Sequence, residues 1–225
     1  MIGENSRAVI LLFAKAPETG RVKTRLAAHL GAERASRIHR ACLEDAIRLV
    51  ERVPGCTRRL LLAGSRRAWI DAGTAFGTAW EIEPQRGRDL GERLERAFRE
   101  AFRRGAKKAI AIGTDTPWMG ARRIERAIAA LDRNDAVLGP AADGGYYLVG
   151  MRRTVSAAFR QIAWGKARVL EQTRRALERA GASYELLARD FDLDRFQDLE
   201  RAAEFLRRDP ERAPVLAAWL RVERP

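Results

Sequence analysis

Two cysteines and two histidines are all that this 225-residue chain carries of those residue types, and only five of its 43 basic residues are lysine. Each scarcity excludes something. Cys42 and Cys56 make no disulfide framework and no cysteine-based metal pattern. Cys42 falls on the apolar side of an expected helix and reads as a buried free thiol. His29 and His39 have no partners at metal-ligand spacing and read as surface or helix residues. No Ser-His-Asp or Cys-His arrangement can be drawn. No apolar stretch approaches the ~20 residues that span a bilayer. The N-terminal apolar run is too short for a secretion signal and passes straight into charge, so it reads as a first strand. A cytoplasmic protein fits these features.

Nucleotide signatures are also missing. No GxxxxGK[ST] spacing occurs, and the basic loop after the first apolar run has one glycine where a dinucleotide fingerprint needs three. The net charge of +13 suggests nucleic acid at first sight. However, the arginines are spread over nearly every expected helix and mixed with Glu and Asp. Aromatic residues make up only 7% of the chain and do not interleave with the basic ones. A solvated charged surface explains the charge better than a nucleic-acid footprint does.

What is present is an alternation of strand and helix signals. Strands are expected at residues 9–14, 60–63, 79–82, 109–112, 136–138 and 146–149. Helices are expected at 33–53, 66–72, 89–104, 122–131 and 166–181, with two C-terminal helical segments around 198–207 and 210–221. The 33–53 helix puts Ile38, Cys42, Leu43, Ala46, Leu49, Val50 and Val53 on one face. The 89–104 helix puts Leu90, Leu94, Ala97, Phe98 and Phe102 inward. Repeated strand–helix–strand order implies one α/β domain over residues 1–225, with a mostly parallel sheet flanked by helices. Ligands then belong outside the carboxyl ends of the strands.

Four segments at such positions carry the chemistry. The first strand empties into a loop holding Lys15, Gly20, Arg21, Lys23, Thr24 and Arg25. Cations at a helix start oppose the helix dipole by roughly 0.3–1 kcal/mol each, a term that a bound polyphosphate reverses. Gly113-Thr114-Asp115-Thr116-Pro117 puts a carboxylate at the end of a central strand, suited to a divalent cation or simply to a turn. Asp143-Gly144-Gly145-Tyr146 reads as a hairpin turn or as a place where backbone approaches a ligand closely. Asp192 and Asp194, two apart in an extended segment, share one side; facing Asp115 they would complete an oxygen-only site for Mg²⁺ or Mn²⁺, and the other reading is a helix N-terminus rich in acids. Trp164 suits either core packing or a lid.

Taken together, these segments resemble one family: the bacterial glycosyltransferase-like proteins of the GT-A (nucleotide-diphospho-sugar transferase) superfamily. Their patterns FAKxPxxGxVKTRL, QxGxDLGxR, GTDxP, GPxxDGGYYLxG and a late DxD stand here at residues 13–26, 85–93, 113–117, 139–150 and 192–194. More distantly, the layout is similar to molybdenum-cofactor and 2-phospholactate guanylyltransferases. The resemblance implies that Lys15, Gly20, Arg21, Lys23 and Arg25 take phosphates, and that Gln85, Asp89 and Gly91 lie near base and ribose. It implies that Asp115, Asp192 and Asp194 hold the metal, and that Asp143, Gly144, Gly145 and Tyr146 face the acceptor. The chain departs from the pattern at Arg195 and Gln197, at the bulky Trp118-Met119 pair, and at Gly165-Lys166-Ala167 after Trp164. The expected activity is metal-dependent transfer of a sugar from a nucleotide diphosphate to a small-molecule acceptor, with Asp143 as general base and Lys23 on the leaving phosphates. The rival is nucleotidylyl transfer from an NTP, and a third reading is a nucleic-acid-binding module.

Overall fold

The structure, a computed structural model, describes residues 8–64, 66–71 and 80–223. Ala72 and Ala79, the expected ends of a helix and a strand, lie outside the described residues. The first apolar run forms β1 (Ala8–Lys15), an interior strand of the sheet. Its side chains alternate between two cores: Ile10, Leu12 and Ala14 enter one, while Val9 and Leu11 enter the other. A strand buried on both faces needs this continuous apolar character, because helices cover both sides of a parallel sheet.

The remaining strands are β2 (Cys56–Ala63), β3 (Trp80–Pro84), β4 (Lys108–Ile112), β5 (Ala136–Pro140), β6 (Tyr146–Met151) and β7 (Tyr184–Leu186). They form one seven-stranded sheet in the order β3-β2-β1-β4-β6-β5-β7. The parallel pairs are β1–β2, β1–β4, β2–β3 and β5–β7. Strand β6 runs antiparallel to both β4 and β5. The cause lies in the connection: only residues 141–145 separate β5 from β6, too few for a parallel crossover. The Ala141 amide donates to the Gly145 carbonyl at 3.0 Å, closing the turn.

The helices are α1 (Thr24–Leu30), α2 (Ala32–Glu51), α3 (Arg66–Asp71), α4 (Leu90–Arg103), α5 (Ala121–Ala130), α6 (Val169–Arg179), α7 (Phe196–Arg208) and α8 (Pro214–Val222). All seven residues expected on the apolar face at 33–53 are buried, Cys42 among them as a free thiol. His39 also lies on α2 but is buried, donating through Nε2 to the Lys15 carbonyl at 3.1 Å. On α4, Leu94 and Phe98 are buried as expected, while Leu90 is 43% exposed at the mouth of a cleft. The expected 166–181 helix starts later, at Val169, and residues 163–168 form a loop carrying Trp164. The expected 210–221 segment is a short 3₁₀ turn (Pro210–Arg212) followed by α8, each with a proline in its first turn.

Clusters α1, α2, α7 and α8 share a third apolar core that includes Leu26, Ile38, Trp118, Phe191 and Leu193. Trp118 is therefore structural: its ring lies 4.6 Å from that of Phe191, and its Nε1 donates to Asp190 at 3.2 Å. Buried Asp45 on α2 accepts from the Val215 and Leu216 amides at 3.1 and 2.8 Å, fixing the start of α8. These contacts bring the C-terminal third of the chain back against the helices that follow β1.

Asp135, just before β5, accepts from Arg152 and Arg153 and from the Ser183 amide. The Arg153 hydrogen bond, aided by Arg152 and Ser183, outweighs burial and holds its carboxyl down at about 2. A carboxylate with a folded value below its unfolded value stabilises the fold above the unfolded value, and the benefit is lost as pH falls toward the folded one. Asp135→Asn should therefore cost about 1–2 kcal/mol at pH 7. In urea titrations the gap between variant and parent should narrow between about pH 4 and about pH 2; a gap that does not change with pH would contradict this role.

Candidate active site

The carboxyl ends of β1 and β4 open into a cleft of about 220 Å³. Phe13, Leu90, Leu94, Tyr146 and Val149 form its apolar wall, and Asp115, Thr116 and Asp192 its polar end. Polar groups gathered at one end of an apolar concavity are the usual form of a small-molecule site.

The basic loop leaves β1 and turns into α1. Lys23 stands at the helix start with φ 48° and ψ 41°, a left-handed conformation that costs a non-glycine residue roughly 1 kcal/mol or more. The strain comes with a buried side chain, only 3% exposed. Its Nζ donates to Asp115 Oδ1 at 2.5 Å and also to the Leu193 carbonyl. Burial works against the ammonium, but the Asp115 carboxylate outweighs it, so Lys23 titrates above the ordinary lysine value. Burial likewise works against the Asp115 carboxylate, and Lys23 reverses it, so Asp115 titrates below its ordinary value. Two residues on, Arg25 pairs with Asp194 at 2.6 Å. Lys15, Gly20, Arg21 and Thr24 lie exposed along the same loop, with Arg21 3.5 Å from Glu18.

The late acidic segment is fastened to the segment after β4 by backbone pairing: the Leu193 amide donates to the Asp115 carbonyl at 2.8 Å. Asp192 then points into the cleft and accepts from Thr116 Oγ1 at 2.6 Å. Burial, with the neighbouring Asp115 and Asp143 carboxylates, pushes Asp192 up to about 7. Asp194 is turned to Arg25 instead of toward Asp115. Among the described residues, no three or more His, Cys, Asp or Glu side chains are grouped to hold a metal ion. The pair Asp115 and Asp192 still suits a hard cation, since Mg²⁺ often uses one or two carboxylates and completes its shell with water and phosphate oxygens. Burial is the main reason that Asp192 is raised, and the smaller part that comes from the neighbouring carboxylates is what a cation placed between them would relieve.

The Asp-Gly-Gly turn sits on the other side. Asp143 is exposed, and its Oδ1 accepts from the Gly145 amide at 2.8 Å. Gly144 has φ +89°, and a methyl group there would overlap the Ala167 carbonyl, so the turn packs directly against the loop before α6. Tyr146 meets Trp164 edge-on, with centroids 6.3 Å apart. Trp164 is half-buried and also packs at Gly91, where a methyl group would stand 2.5 Å from Trp164 Nε1 and overlap the Phe159 carbonyl. Gly91 thus serves close packing at the start of α4. Asp89 caps α4, accepting from the Glu92 amide at 2.8 Å. Gln85 ties the ends of β1 and β2 by donating to the Ala14 and Leu61 carbonyls at 3.0 and 2.9 Å.

Three participants were not anticipated: the Leu193 carbonyl, the Thr116 hydroxyl and Phe13. A backbone carbonyl leaves no mark in side-chain identity. Thr116 stood inside the GTDxP segment, but its role depends on Asp192 arriving from 76 positions away.

The fold is that of the nucleotide-diphospho-sugar transferase class of α/β proteins. It belongs to the family described as "Uncharacterized protein conserved in bacteria (DUF2064)", which it matches over residues 46–166. A Desulfovibrio desulfuricans G20 protein provisionally called a nucleotide-diphospho-sugar transferase is 31% identical; the match covers 96% of this chain and 94% of that one, with a TM-score of 0.87. The 4-diphosphocytidyl-2C-methyl-D-erythritol synthase of Anaerococcus prevotii shares the fold at 11% identity, covering 89% of this chain and 97% of that one, with a TM-score of 0.59. So does Rv0371c of Mycobacterium tuberculosis, whose structure was determined in complex with manganese: 16% identity, 88% and 97% coverage, TM-score 0.54. No curated protein matches the chain. No helix among the described residues is long and apolar enough to cross a membrane.

If Gly91 exists for packing, Gly91→Ala should displace Trp164. The expected cost is about 1–3 kcal/mol by denaturant titration, with a red shift in tryptophan emission. Unchanged stability and emission would show that the start of α4 has room to spare.

Proposed function

We propose that the protein is a metal-dependent glycosyltransferase that moves a sugar from a nucleotide diphosphate to a small-molecule acceptor. The observation that carries this reading is convergence. Lys23, where the chain turns from β1 into α1, meets Asp115, which with Asp192 forms the polar end of the cleft, and Arg25 in the first turn of α1 meets Asp194, two residues beyond Asp192. The 31%-identical relative, by its name, supports the same reading.

In this scheme Lys15, Gly20, Arg21, Lys23, Thr24 and Arg25 bind the phosphates. Gln85, Asp89 and Gly91 shape the place for base and ribose. Asp115 and Asp192 would hold Mg²⁺ or Mn²⁺, with Asp194 steering Arg25. When bound, the cation supplies neutralisation of charge developing on the leaving diphosphate. Lys23 and Arg25 contribute in the same direction through fixed positive charge in a partly desolvated place. Asp143, held by the Gly145 amide, takes the proton from the attacking acceptor hydroxyl. Gly144, Gly145, Tyr146 and Trp164 orient that acceptor, and the aromatic pair keeps water from the reacting atoms.

Nucleotidylyl transfer is the competing reading, because the same cations would stabilise departing pyrophosphate and the synthase of Anaerococcus prevotii shares the fold. A thermal-shift panel of sugar nucleotides and NTPs, each with and without Mn²⁺, identifies the donor through ligand-linked stabilisation. Release of a nucleoside diphosphate supports glycosyl transfer; release of pyrophosphate from an NTP overturns it in favour of the rival. Binding of random duplex, weakening steeply with salt, would favour a nucleic-acid module over both.

Two substitutions divide the roles. Asp115→Asn should abolish the Mn²⁺-dependent part of nucleotide binding in calorimetry and also lower Tm, because it leaves the buried Lys23 ammonium without its counter-charge. Asp143→Asn should keep nucleotide affinity and lower kcat by about 10²–10⁴. Retention of kcat would remove Asp143 from proton transfer.

A further inference from the structure

Lys23 is held more tightly than phosphate binding requires. Its backbone is in the left-handed region and its side chain is buried. Its ammonium spans Asp115 Oδ1, at 2.5 Å, and the Leu193 carbonyl. The carboxylate that the proposed metal needs is therefore already neutralised by a cation of the protein itself. A divalent ion and an ammonium cannot share the lone pair facing Lys23, and like charges in a half-buried place repel strongly.

Lys23 also has nowhere else to go. Of the other acids of the neighbourhood, Asp194 is engaged by Arg25 at 2.6 Å, and Asp192 accepts from Thr116 and is the second carboxylate that the proposed metal needs. Cys42 is buried, and its thiol is kept neutral. The Leu193 carbonyl carries no charge. If Asp115 turned to a metal, Lys23 would remain as a buried charge without a counter-charge, a strongly unfavourable state. An anion must arrive to receive it.

We infer that Lys23 is a built-in counter-ion that withholds Asp115 from divalent cations until a phosphate-bearing ligand takes up the ammonium, so that metal and phosphate bind as a coupled pair. The inference rests on the nucleotide-and-metal reading of the site and adds the order of assembly. A metal ion alone binds poorly, and phosphate and metal each strengthen the other's binding by the same factor.

The test uses Mn²⁺ alone, with free Mn²⁺ read by electron paramagnetic resonance. Lys23→Met should bind Mn²⁺ about tenfold more tightly than the parent, because Asp115 is released. Affinity no tighter than the parent's overturns the inference. The double variant Lys23→Met/Asp115→Asn should lose the gain; a gain that persists also overturns it, since Asp115 would not be its source. If Lys23→Met does not fold, the parent protein decides. Mg²⁺ with inorganic pyrophosphate should raise Tm by more than the sum of the two separate shifts, and additive shifts overturn the coupling. Failure of every sugar nucleotide and NTP to bind would instead sink the proposed function while leaving these metal and pyrophosphate results intact.

Discussion

The contact between Lys23 and Asp115 is the interaction on which the rest of the site depends. It joins the first loop of the chain to the end of the central strand β4, and through the Leu193 carbonyl it also fastens the acidic segment near the C-terminus. A buried ammonium is tolerated only where a carboxylate and further acceptors meet it. Here that requirement draws three distant pieces of backbone to one point. The left-handed conformation at Lys23 belongs to the same arrangement: the surroundings hold it where a lone residue would relax.

Around this point the sheet supplies two unlike rims. On one side, parallel strands end in the basic loop and in Gln85, which ties β1 to β2. On the other, the reversal of β6 turns the 141–145 connection into a tight hairpin and brings Asp143 and Tyr146 to the same end of the sheet. A purely parallel sheet would need a crossover helix there and would not place two rims so close together. The third apolar core serves the same end, because Trp118, Phe191 and the α8 start capped by Asp45 press the C-terminal segment against α1 and α2.

Most of the fold was legible in the residues. The VILLFA run of β1 is apolar without alternation because both of its faces are covered. The face of α2 was readable because 3.6-residue periodicity is independent of what lies opposite. The hairpin reading of Asp-Gly-Gly was available from turn chemistry alone. Limits appeared where tertiary contacts override local pattern. Leu90 follows the apolar spacing of α4 yet lines an open cleft. The 166–181 helix starts late, where the preceding loop packs on Gly144. The close packing of Gly91 against Trp164 and the Phe159 carbonyl likewise leaves no mark in the local pattern.

For the candidate site, residue types and their places at strand ends were written in the chain itself: basic after β1, acidic after β4, Asp-Gly-Gly before β6, acidic again near residue 192. These follow from local chemistry, since a buried strand must end where polar residues begin. What each charge faces was decided only by the folded chain. Lys23 meets Asp115, Arg25 meets Asp194, and Asp192 is left beside Thr116 and within the field of two other carboxylates. Electrostatic pairing across 92 or 169 positions has no signature in local spacing, because it depends on distances that exist only after the sheet has formed.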